Sequence, residues 1–89
     1  MNFTSGDIIQ YVGKPTSKAD NFELFIITGF VDDAMVVFSL GLVANLNEIQ
    51  YAHDNLMTSM DVKGDYENSF VKITSIGEMK RNNIWDVRA

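Results

Sequence analysis

The stretch SMDVKGDYENSF, Ser59 to Phe70, gathers Asp61, Asp65 and Glu67 around Gly64, and carboxylates at that spacing raise the question of a cation loop. An EF-hand calcium loop beginning at Asp61 needs oxygen ligands at its third and fifth positions, glycine at its sixth and a bidentate glutamate at its twelfth. The third position is Lys63, the sixth Tyr66 and the twelfth Lys72, so the frame fails. An irregular site of Asp65, Glu67 and the Asn68 carbonyl is the one cation reading left open. Lys63 sits among the acids and neutralises one of them, and Gly64 supplies a residue free to take positive φ. The stretch reads as a turn, and its three carboxylates are candidates for partner contact.

Other reactive residue types are scarce. The chain has no cysteine, which removes disulfides, thiol nucleophiles, cysteine-ligated zinc and iron–sulfur clusters together. His53 is the only histidine, so no site with two imidazoles can form. A Ser-His-Asp arrangement would have to use His53, yet no Gly-x-Ser-x-Gly element is present. On a helix, His53 falls on the apolar face with Leu46, Ile49 and Met57, which predicts a mostly buried imidazole. Asp54 would then point about 100° away from it, a poor orienting partner. Asp32 and Asp33 form an acid pair, but general acid–base catalysis needs carboxylates with separated pKa values inside a cleft. Both read as ionised carboxylates at a wet hairpin tip. The six glycines are scattered, and none forms a phosphate-cradling loop. Met57 and Met60 read as core side chains, with an adaptable binding groove as the other reading. Trp85, beside Ile84 and Val87 in a polar terminal stretch, either folds back on the core or projects as an interface anchor.

The elements that must carry these residues belong to one domain spanning residues 1–89, with 79–89 as a tail or terminal strand. With 46% hydrophobic residues the chain has ample material for a folded core. Asp7 to Val12 reads as a first strand, and the proline-containing GKPTSKAD, Gly13 to Asp20, as a long loop. Phe22 to Phe30 is a second strand, apolar on both faces from Leu24 to Ile27 and therefore central, with Gly29 marking a bulge or bend. Val31 to Ala34 is a tight turn into a third strand, Met35 to Leu40. Apolar spacing then changes to the helical period, and Asn45 with Glu48 predicts a capped amphipathic helix over about 46–57. A strand placing Ile49, Tyr51 and His53 on one face is its rival. Residues 58–69 read as polar and irregular, and Phe70 to Ile76 as a last strand.

The fold class is therefore α+β, a small antiparallel sheet with one amphipathic helix after the third strand. The order of elements, carried by GDIIQYVG and the hairpin over about half the chain, resembles small SH3-like barrels and implies a partly open barrel. A full helix after the third strand exceeds what such barrels usually carry.

Charge distribution narrows the function. The net charge is −5, and no Lys or Arg occurs from Asp20 to Val62, a stretch holding Asp20, Glu23, Asp32, Asp33, Glu48, Asp54 and Asp61. Lys80, Arg81 and Arg88 make the end cationic. Direct binding to a phosphate backbone is disfavoured. It would need that basic end, with Tyr11, Phe25 or Trp85 as stacking platforms. No signal peptide or membrane-length apolar run is visible, so a cytoplasmic protein without membrane contact is expected. No cofactor and no enzymatic activity are expected. The reading is a small acidic regulatory module that binds another protein through Asp32, Asp33, Asp61, Asp65, Glu67 and Trp85. Its alternative is a phage-type nucleic-acid mimic that lays carboxylates in a row and inhibits a nucleic-acid-binding protein. Eight asparagines would suit an AT-rich genome, and a homo-oligomer could extend the charge.

Overall fold

The computed structural model describes residues 3–55, 59–64 and 66–85. Five antiparallel strands form one open sheet: β1 (Asp7–Tyr11), β2 (Leu24–Val31), β3 (Ala34–Gly41), β4 (Ser59–Val62) and β5 (Phe70–Ser75). Their order across the sheet is β4-β3-β2-β1-β5. Among the described residues two short α-helices accompany the sheet in an α+β fold, α1 (Ile49–Asp54) and α2 (Ile76–Arg81). No helix among the described residues is long and apolar enough to cross a membrane.

The sheet buries both faces, and strand alternation explains how. Phe25 and Ile27 of β2 join Ile9, Met35, Val37 and Phe70 on the inner face. Leu24 and Ile26 point the other way, joining Ile8, Leu40, Ile49 and Met79 on the outer face. The apolar run from Leu24 to Ile27 thus occupies the centre of the sheet and serves both cores. The bulge near Gly29 is present: pairing passes from Ile27–Val37 to Gly29–Val36, leaving Thr28 unmatched. Val31 pairs with Ala34, so Asp32 and Asp33 are the hairpin loop, with Asp32 at a left-handed φ of 55°.

The long β1–β2 connection folds over the inner face by burying Ala19. The Thr16 hydroxyl accepts N–H bonds from Lys18 and Ala19, each at 3.1 Å, and fixes that bend. β4 and β5 lie at opposite edges, so the connection between them crosses the inner face. It carries Tyr66 onto the core and against the Phe3 ring, 6.2 Å away. The outer face is covered by α1, α2, Ile84 and Trp85.

Three differences from the sequence reading have physical causes. The helix predicted over 46–57 is a 3-10 turn, Leu46–Glu48, followed by six residues of α-helix; Asn45 does cap it, accepting from the Asn47 N–H at 3.0 Å. Met57 lies outside the described residues. The stretch read as irregular contains β4 and a 3-10 turn, Tyr66–Asn68. An edge strand needs only Met60 and Val62 facing the core, too few to raise an apolar signal. Finally, Ile76 begins a helix rather than ending a strand, and α2 occupies part of the segment read as a tail or strand. The Ser75 hydroxyl accepts the Glu78 N–H at 3.1 Å and turns the chain into that helix.

Candidate functional site

β4 is the place where the acidic middle of the chain meets an opening in the fold. Met60 and Val62 pack toward the inner core, while Ser59 and Asp61 are exposed. Beside this edge lies a cleft of about 310 Å³ whose lining includes Tyr11, Lys18, Met60, Asp61, Tyr66 and Phe70. Its aromatic side is held rigidly. Tyr11 packs edge-on to Phe70 at 5.3 Å, Phe70 edge-on to Phe25 at 5.7 Å, and the Tyr11 hydroxyl donates to the Lys14 carbonyl at 2.6 Å. Lys18 and Lys63 stand on the same cleft, so its rim carries both signs of charge.

Sheet register assembles the acids. Asp61 pairs with Val36 and Val62 with Met35, so the end of β4 adjoins the hairpin carrying Asp32 and Asp33. All three are exposed, and among the described residues none has an ion-pair partner. Glu67 lies elsewhere, by a separate depression lined by Phe3, Phe70, Val71 and Lys72. Asp65 lies outside the described residues. Trp85 is on the opposite face of the sheet, half-buried and edge-on to His53 at 5.0 Å. The structure therefore places Asp61 and the Asp32–Asp33 loop at the same end of the β3–β4 pair and leaves Glu67 and Trp85 apart from them.

His53 differs in part from its expected setting. It is half-buried, and Asp54 does not point clear of it: Nδ1 lies 3.7 Å from the Asp54 Oδ1. The helix ends at Asp54, and that separation exceeds a hydrogen bond. Nδ1 is buried and has no hydrogen-bond partner among the described residues. No cluster of three or more His, Asp or Glu suited to a metal ion occurs among the described residues. Of the candidate stacking platforms, Phe25 is 1% exposed and cannot meet a base, and the Tyr11 ring already packs on Phe70.

The sequence reading missed the cleft, with Lys18, Tyr66 and Phe70 as its walls. One signal was available. Ser59-Met60-Asp61-Val62 alternates polar and apolar residues with the period of a half-buried strand. No protein family, curated protein or solved structure matches this chain.

Proposed function

We propose that this chain is a small non-enzymatic module that works in the cytoplasm by binding another protein. Its contact surface is the β4 edge, the cleft beside it and the carboxylates of Asp32, Asp33 and Asp61, with Asp65, Glu67 and Trp85 as outlying contacts. One observation carries this reading: three exposed carboxylates, with no ion-pair partner among the described residues, lie at one end of the β3–β4 pair, where Asp61 also lines a cleft with an aromatic wall. Exposed carboxylates steer a basic partner in from a distance, and the aromatic wall of the adjacent cleft supplies the burial that holds it. We further infer that the sheet is an SH3-like, partly open barrel. β1 pairs with both β2 and β5, and the β4–β5 connection curls across one face, which supports that architecture.

The test is capture on the immobilised full chain, comparing wild type with the triple variant Asp32→Asn, Asp33→Asn, Asp61→Asn. Washes at about 0.1 M and about 0.5 M salt separate screened from apolar contacts. A protein held by wild type and lost from the triple variant supports the reading. Retention equal on both removes the acidic edge from the interface. The placement of the three carboxylates at one end of the β3–β4 pair also favours the second reading, a nucleic-acid mimic. In that case the captured protein binds nucleic acid, and duplex DNA or RNA competes it off.

A further inference from the structure

We propose that β4 accepts a sixth strand: an extended, basic segment of the partner pairs with its free edge and seats an apolar side chain in the cleft. This rests on the protein-binding reading above and specifies how the contact is made. β4 ends the strand order, and in an antiparallel ladder only alternate residues turn their N–H and C=O toward the neighbour. Half of the four residues therefore present backbone donors and acceptors outward. Among the described residues, no hydrogen bond beyond the β3–β4 ladder reaches Ser59–Val62.

The two edges of the sheet are not alike. β5 is interrupted by a bulge opposite Ile8 and Ile9 and carries Lys72, both of which discourage strand addition. β4 has no bulge, proline or lysine along Ser59–Val62. A shallow depression lined by Lys18, Ser59, Met60 and Asp61 follows the same edge. An added strand alternates like its neighbour. Side chains on the Met60 and Val62 side meet the cleft, with Lys18 and Lys63 at its rim, and those on the other side meet the exposed Asp61. That pattern selects apolar residues alternating with Lys or Arg. It disfavours a second copy, because antiparallel pairing of two β4 edges would set Asp61 close to its counterpart in chains that each carry a net charge of −5.

The experiment uses the isotope-labelled full chain and a panel of synthetic peptides alternating lysine with threonine around a central Val, Leu, Phe, Tyr or Trp. The best-binding peptide should shift the amide resonances of Ser59–Val62 and of Lys18 and Ala19. N-methylation of the alternate peptide nitrogens that face β4 should weaken it at least about tenfold, since each removed donor leaves a buried acceptor unpaired. Replacing its lysines with glutamate should abolish binding. Binding that maps to the cleft but ignores N-methylation overturns strand addition and leaves the protein-binding reading standing. No shift with any peptide also overturns strand addition, and the capture comparison then judges the broader reading independently. Concentration-dependent broadening of Ser59–Val62 without peptide would put a second copy on the edge and overturn the basic-segment proposal.

Discussion

Asp7 is the most buried acid of the described residues, and its neighbours predict what its loss or isolation costs. The side chain is 2% exposed. Oδ2 accepts the Thr4 N–H at 3.0 Å, and Oδ1 lies 3.6 Å from the Lys72 ammonium, which also lies 3.5 Å from Glu78. At an effective dielectric near 20, two charges at that separation attract by about 4–5 kcal/mol. Lys72 is 39% exposed and shared with Glu78, so solvent and the second carboxylate remove much of that attraction. Lys72→Met keeps the apolar stem and deletes the charge, leaving Asp7 buried beside one backbone donor. The expected cost is about 1–3 kcal/mol. Asp7→Asn keeps an oxygen for Thr4 and should cost about 1 kcal/mol. The double variant should then be milder than the sum, with a coupling of at least about 1 kcal/mol. Urea unfolding reads these values directly, since a slope near 1 kcal/mol per molar turns each kcal into about 1 M of midpoint. Strictly additive effects, or a Lys72→Met midpoint within about 0.3 M of wild type, would refute the coupling of Asp7 to Lys72.

Other substitutions test separate parts of the fold. Met79 is α2's buried anchor on the outer core at 1% exposure, so Met79→Ala should cost about 2–4 kcal/mol. Calorimetry should show a melting temperature lower by roughly 10–20 °C. Trp85→Ala removes the ring that packs on His53 and should cost about 1–2 kcal/mol by the same urea assay; no measurable loss would show that Trp85 does not cap the core. Phe22 is 61% exposed at a left-handed φ of 69°, so Phe22→Asn should raise stability by up to about 1 kcal/mol. A loss instead would mean that the ring's contacts outweigh its backbone strain.

The parts of the fold legible in the sequence are those where every local cue agrees. Leu24 to Ile27, apolar on both faces, had to lie centrally, and the hairpin around Asp32 and Asp33 followed from two strand-like runs around a short polar break. β4 and α2 were hidden because their apolar content is small and depends on tertiary neighbours. Ser75-Ile76-Gly77-Glu78 does have the spacing of a capping box, but it follows a β-branched run without a break and reads as its continuation. The candidate site was legible as residues and not as an arrangement. Asp32, Asp33 and Asp61 stood out as acids, yet their adjacency depends on the β3–β4 register, which no local pattern specifies. The cleft was less visible still, since Tyr11, Lys18, Tyr66 and Phe70 come from three segments of chain.

Both faces of this sheet are in use, and that restricts where a contact surface can lie. The β1–β2 loop and the β4–β5 crossing cover the inner face, while α1, α2 and Trp85 cover much of the outer one. Backbone hydrogen-bonding capacity is then left at the two edges. Lys72 is committed to Asp7 and Glu78 at β5, and the bulge there breaks the ladder. β4 keeps an unbroken edge, and its one charged residue is the exposed Asp61. A carboxylate there repels another copy of a chain with net charge −5 and attracts a basic segment. On the strand-addition proposal, the same residue that would oppose self-pairing of the edge would also select what the edge holds.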